Sequence, residues 1–234
     1  MKDLCKLLRD NPYPGRGMVL GRSAGGECAV LVYFIMGRSV NSRNRIFEPT
    51  PDGIRTRAFD ESKMTDPSLI IYHPVRELDG TFIVTNGDQT DTIADAFRAG
   101  KGFVRALRTR TFEPDAPNYT PRISGMVRPD GSYRLSILKS AEGTGESCVR
   151  FFFEYDAPTP GVGHFISTYQ GDGDPLPSFA GEPVAVDLSA PDAATLAKAL
   201  WDSLNGDNKI SLYVNYVNIK TGAQERVILN KLEA

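Results

Sequence analysis

The chain has little of what usually holds a metal or a disulfide. Its 234 residues include three cysteines, Cys5, Cys28 and Cys148, and two histidines, His73 and His164. Three scattered thiols make neither a disulfide framework nor a zinc site. The histidines have no ligand-like spacing and no triad signature. Cys28 opens an apolar run and Cys148 precedes Phe151-Phe152-Phe153, so both are expected to be buried as small hydrophobes. Asp172-Gly173-Asp174 lacks the other ligands of a calcium loop. Neither a G-x-x-x-x-G-K-[ST] loop nor a G-x-G-x-x-G run is present. No metal and no cofactor are therefore expected. Chemistry falls to Arg, Tyr, Glu/Asp, Ser/Thr, Asn and backbone groups.

Long apolar runs are missing too. Ala29–Met36 is the longest and falls far short of the roughly 18–20 residues of a membrane span. The start, Met1-Lys2-Asp3-Leu4-Cys5, lacks a signal peptide's apolar core, so no membrane partner and a cytoplasmic location are expected. With 41% hydrophobic and 24% charged residues the composition is that of a globular protein, which excludes disorder, collagen and coiled coil. A chain of this size buries a core without staples, and no flexible linker divides it, so residues 1–234 read as one domain.

An excess of one charge is also absent. The net charge of −2 argues against a nucleic-acid partner held by phosphate contacts. The distribution is uneven, however. Residues 1–60 carry ten Lys/Arg against six Asp/Glu, residues 101–140 eight against three, and residues 141–210 three against eleven. Of the 27 cations 18 are arginine, whose planar fork suits phosphate and carboxylate.

Apolar periodicity predicts two short helices within Asp91–Arg110, split near Gly100-Lys101-Gly102 and N-capped by Thr90 or Asp91. It predicts another over Asp192–Leu204, with Ser189 and Asp192 as a capping box, and a short one over Met1–Leu8. Strands are expected at Met18–Arg22, Cys28–Met36, Leu69–Tyr72, Thr81–Thr85, Ile123–Val127, Tyr133–Leu138, Val149–Tyr155, Phe165–Tyr169, Ile210–Ile219 and Gln224–Leu229. Many strands in succession with few helices give an α+β fold of mostly antiparallel sheets. Gly171–Pro183 is a surface loop, a lid or a contact arm.

Three stretches carry polar groups in patterns suited to a ligand. Ser42-Arg43-Asn44-Arg45, close behind Arg38, is either a phosphate clamp or an exposed polar turn. Asn86-Gly87-Asp88-Gln89-Thr90-Asp91 joins a strand to a helix and is either an anion-binding helix start or a plain turn with a cap. Glu113, shortly before Thr120-Pro121-Arg122-Ile123, is either a general acid/base or surface charge. Tyr72 is a ring with a polar tip, which packing alone also explains.

Taken in order, Gly21-Arg22-Ser23, Tyr33, Ser42-Arg43-Asn44-Arg45, Ile70-Ile71-Tyr72, Val84-Thr85-Asn86-Gly87-Asp88-Gln89-Thr90-Asp91-Thr92-Ile93, Thr120-Pro121-Arg122-Ile123 and Ile166-Ser167-Thr168-Tyr169 resemble the archaeal-type inosine monophosphate (IMP) cyclohydrolase family. The resemblance covers about residues 13–170. It implies an αββα four-layer sandwich like that of the N-terminal nucleophile (Ntn) hydrolases. It also implies closure of the purine ring of 5-formamidoimidazole-4-carboxamide ribonucleotide to IMP and water. A small nucleotide is the implied partner, and a homo-oligomer is open. Catalytic roles carry over to Arg45, Tyr72 and Glu113, with Asp115 as the alternative to Glu113. Substrate contacts are expected from Arg22, Arg38, Arg43, Asn44, Asn86, Gly87, Thr90, Asp91 and Arg122. Because the chain opens Met1-Lys2, it offers no Cys, Ser or Thr as a terminal nucleophile. A non-catalytic purine-nucleotide-binding protein and a hydrolase of another amide on the same fold remain alternatives.

Overall fold

The computed structural model describes residues 1–233. The longest apolar run becomes a central strand of one sheet, and both its faces are apolar because both are covered. That sheet consists of β1 (Arg16–Arg22), β2 (Cys28–Met36), β10 (Val162–Ser167), β11 (Val184–Asp187), β12 (Lys209–Asn218) and β13 (Gln224–Asn230), in the order β11-β10-β1-β2-β12-β13. Val30, Val32 and Phe34 of β2 pack on α1 (Leu4–Asp10) and α5 (Ala193–Ser203). Leu31, Tyr33 and Ile35 point the other way, as strand alternation requires, onto a second sheet. Full burial of one side chain such as Leu200 of α5 contributes about 1.5–3 kcal/mol.

The second sheet is a meander. It runs through β3 (Arg45–Thr50), β4 (Gly53–Ala58), β5 (Val75–Leu78), β6 (Thr81–Thr85), β7 (Arg122–Val127), β8 (Tyr133–Ser140) and β9 (Cys148–Tyr155), side by side in that order. Its outer face is covered by α3 (Gln89–Arg98) and α4 (Phe103–Leu107), through Ile93, Phe103 and Leu107 against Ile83, Met126 and Leu138. All ladders in both sheets are antiparallel. The layers run helix, sheet, sheet, helix, and the class is α+β.

Several expected elements differ. Leu69–Tyr72 is a turn, in which the amides of Ile70 and Ile71 return to the Pro67 carbonyl. Its apolar side chains mark burial of Ile70 and Tyr72, not a ladder. β3, β4, β5 and β11 are additional strands: the first three are short and carry Arg, Glu or Thr, which weakens apolar alternation, and β11 is only four residues long. Pro49 within β3 is tolerated because β3 is an edge strand. β10 stops at Ser167, and Tyr169 makes an isolated bridge to Ser178. Thr90 and Asp91 lie inside α3, whose N-cap is Asp88. Asp192 alone caps α5 through the Thr195 amide, while Ser189 bonds back to Asp187. α1 begins at Leu4, where Asp3 caps it. Cys28 and Cys148 are half-buried, because each opens its strand at the rim of a layer.

One side chain fastens the two sheets together at an edge. Asn230, ending β13, accepts the Phe47 amide at 2.8 Å and the Ser211 hydroxyl at 2.7 Å, and donates to the Phe47 carbonyl at 2.9 Å. Asn230→Ala leaves a buried main-chain donor and acceptor unmet. It is expected to cost about 1–3 kcal/mol, read as a lower denaturation midpoint with an unchanged m-value.

Candidate functional site

Three strands of the two sheets begin with an arginine: Arg16 in β1, Arg45 in β3 and Arg122 in β7. Arg45 and Arg122 are buried and Arg16 is nearly so at one end of the sandwich, and all three lie close enough to Glu113 to favour its charge. Arg45 is 1% exposed. Its Nε donates to the Ser42 carbonyl at 2.8 Å and its Nη2 reaches the Ser42 hydroxyl at 3.4 Å, so the short helix α2 (Val40–Arg43) serves as its prop. Arg122 is held by Gln89 Oε1 at 2.7 Å and Asp88 at 2.9 Å. Each guanidinium nevertheless retains a buried nitrogen without a partner: Nε of Arg16, Nη1 of Arg45 and Nε of Arg122. Burial lowers the pKa of Arg45 and of Arg122. Unpaired buried donors are costly and call for an explanation, which an anionic or carbonyl-bearing ligand supplies.

Glu113 enters from the loop between α4 and β7. Its amide donates to the Thr120 carbonyl at 2.9 Å, and Asp115 accepts the Thr120 amide at 2.7 Å, which closes the loop and turns Glu113 inward. The carboxylate is 2% exposed. Asn86 Nδ2 donates to Oε1 at 3.3 Å, and Arg16 Nη2 lies 3.6 Å from Oε2. Asn86 is itself pinned by the Ile123 amide, the Pro121 carbonyl and Gln89. Burial pushes the Glu113 carboxyl upward, against the pull of Arg16 and Arg122. Asp115 accepts from the Thr120 amide and hydroxyl and lines a small cleft beside them.

The Tyr72 hydroxyl meets that of Tyr33 at 2.8 Å, both rings being buried. Burial, with Tyr72 alongside, drives the Tyr33 phenol well up, so it stays protonated. The Tyr169 hydroxyl meets Thr120 Oγ1 at 2.5 Å and is pushed up to about 12 by burial. Two clefts flank these groups. One of about 250 Å³ is lined by Arg16, Arg38, Ser42, Arg45, Thr120 and Tyr169. The other, about 650 Å³, is lined by Arg55, Arg57, Tyr72, His73, Asp88 and Asp91. The first carries three arginines against Asp115 and is the more cationic. The second balances its arginines with acids. The larger volume alone is therefore a poor guide to where an anion sits.

Of the residues expected from sequence, Arg38, Arg45, Tyr72, Asn86, Gly87, Glu113 and Arg122 come together here. Others do not. Arg22 lies at the far end of β1 and clasps the Gly26 carbonyl at 2.6 Å. Arg43 braces the chain through the Gly37 carbonyl and Asn208. Asn44 is bonded both ways to Asp60. Thr90 is buried against Thr85 and the Gly87 carbonyl. Asp91 borders the larger cleft but is paired with Arg76 at 2.6 Å. Each of these five has polar partners within the chain. Arg16, Tyr33 and Tyr169 are not among the site residues expected from sequence, and Gln89 is expected only as part of the Asn86–Asp91 stretch. The available signal for Arg16 was a charge opening an otherwise apolar strand.

Gly171–Pro183 contributes to the wall. Asp172 pairs with Arg38 at 2.6 Å, the Leu176 amide bonds Asn118 at 3.0 Å, and Leu176 lines the smaller cleft.

Comparison with known proteins adds independent findings. Residues 13–222 match a family model described as IMP cyclohydrolase-like protein. The chain is 29% identical to an IMP cyclohydrolase of Methanosphaera stadtmanae over 162 residues, covering 68% of this chain and 74% of that one. It is 29% identical to one from Methanopyrus kandleri over 182 residues, 71% and 89% of the two chains. It is 27% identical to one from Haloarcula marismortui over 207 residues, 81% and 86% of the two chains.

Proposed function

The chain belongs to the IMP cyclohydrolase-like protein family, and from that premise we propose that it is an IMP cyclohydrolase acting on 5-formamidoimidazole-4-carboxamide ribonucleotide. The observation that carries the reading is the buried, unpartnered Nη1 of Arg45, whose charge acts on the buried Tyr72 and Glu113 nearby. Residues 1–234 act as one domain in the cytoplasm, and the helix, sheet, sheet, helix order is read as an Ntn-hydrolase-like sandwich.

The reaction joins a carboxamide nitrogen to a formamide carbon on the same molecule. Holding the two in contact therefore supplies much of the acceleration. Glu113, held unusually basic by burial, takes the proton from the carboxamide nitrogen as the C–N bond forms. Arg45 donates its free N–H to the formyl oxygen, where negative charge develops. Glu113 then returns its proton to that oxygen. The resulting hydroxyl takes a second proton as the C–O bond breaks, the former formamide nitrogen gives up its own proton, the C=N bond forms, and water leaves. Tyr72, anchored by Tyr33, orients the carboxamide or passes protons. Arg38 and the Ser39 and Ser42 hydroxyls, at the more cationic cleft, take the phosphate. Arg122 fixes the start of α3 beside Glu113.

Purified protein mixed with the formamido nucleotide is expected to form IMP. Absence of turnover at micromolar enzyme would sink the assignment. Gly87→Ala is expected to lower kcat/KM roughly tenfold, in steady-state assays, with little loss of stability. Its new methyl would lie 2.6 Å from Arg122 Nη1 and 2.7 Å from Gln89 Oε1, displacing the arginine, and misplacement of about 1 Å is enough for such a loss.

A further inference from the structure

β9 is an edge of the meander sheet, paired with β8 on one side only. Neighbouring edges are attended to. Lys2 exchanges main-chain bonds with Ala185 and Asp187 beside β11, and Asn230 fastens β13 to β3. Among the described residues no main-chain group pairs with the outer side of β9. A free edge is a template for another strand unless a proline, a bulge or a short length blunts it. β9 has eight residues and no proline, and its register with β8 runs without a shift from Tyr133↔Tyr155 to Ser140↔Cys148. Phe151 on this strand is 38% exposed and stacks on Phe153 with ring centroids 6.4 Å apart.

The strand is also complementary to itself. In Arg150-Phe151-Phe152-Phe153-Glu154 the charges lie symmetrically about Phe152. Antiparallel pairing about a twofold axis at Phe152 sets Arg150 of one copy against Glu154 of the other, twice, and Phe151 against Phe153, twice. Strand alternation keeps Arg150 and Glu154 on one face and the two phenylalanines on the other. Glu154 already contacts Arg134 of β8, so the joined row alternates in sign: Arg134, Glu154, Arg150. Registers centred on Arg150 or on Glu154 would oppose like charges, which is unfavourable.

We propose that a second copy of this chain docks on β9, strand to strand, so that the two meander sheets become one continuous sheet across a twofold dimer. Each interface charge then has an opposite partner, and Phe151 is covered.

Sedimentation velocity and native mass spectrometry on the full chain test this. Wild type is expected to be a dimer at tens of micromolar. Arg150→Glu and Glu154→Arg are each expected to weaken association at least about tenfold, because each turns two attractive pairs into repulsive ones. Mixed in equal amounts, the two variants are expected to form heterodimers, since each supplies the charge the other lacks. Phe151→Lys, at an exposed position, is expected to weaken the dimer too, and serves if a reversal fails to fold by circular dichroism. A monomeric wild type overturns the proposal. So does a dimer whose mass survives the substitutions, or a mixture without heterodimers.

Discussion

Glu113→Gln is expected to lower kcat by about 10²–10⁴-fold, the range for losing a positioned proton-transfer group. Gln keeps the shape and still accepts the Asn86 bond, but it cannot take a proton. The pH profile distinguishes this role from a structural one. Burial raises the Glu113 carboxyl, so the basic form becomes populated only above a raised pKa. In wild type kcat/KM should climb as pH rises through that value, and the variant should lose this limb. Stability moves in the opposite sense. A carboxyl whose folded pKa is raised contributes stability that is full below its unfolded pKa and lost as pH rises through the folded one. The wild-type unfolding midpoint is thus expected to fall over that window, with a flatter dependence in Glu113→Gln. Wild-type turnover in the variant would remove Glu113 from the mechanism.

Arg45→Met is expected to reduce kcat about 10²–10³-fold, the usual cost of deleting one donor aimed at a developing oxyanion. The unfolding midpoint is expected to hold or rise. Arg45 is enclosed, has no carboxylate within ion-pair distance among the described residues, and bonds only Ser42. Burial of such a cation opposes folding, and a flexible apolar side chain of similar length fills the space without that penalty. Steady-state kinetics beside thermal denaturation read the two effects. Matched losses of activity and stability would make Arg45 a scaffold residue. The prediction follows from Nη1 having no partner: a donor retained at a cost to stability is what a pre-organised site requires.

The sequence alone carried the class and much of the chemistry. β2 was legible because all of its residues are apolar, and α5 because its apolar stripe has helical spacing and Asp192 precedes it. Arg45, Tyr72 and Glu113 are candidates through the resemblance alone, and most of the short strings that carry it lie at one end of the sandwich, Gly21-Arg22-Ser23 at the other. The tertiary structure decided which polar residues are free. Arg43 and Arg45 stand two apart in one motif, yet Arg43 is spent on Gly37 and Asn208 while Arg45 keeps a nitrogen unpaired. Local pattern holds no information on that difference, because the partners come from residues as distant as 208. For the same reason Arg16 was passed over. Its meaning depends on Glu113, 97 positions away in sequence and 3.6 Å away in space. Composition and periodicity set the layers through burial of apolar side chains. Hydrogen-bond partners brought together by the folded chain chose the site.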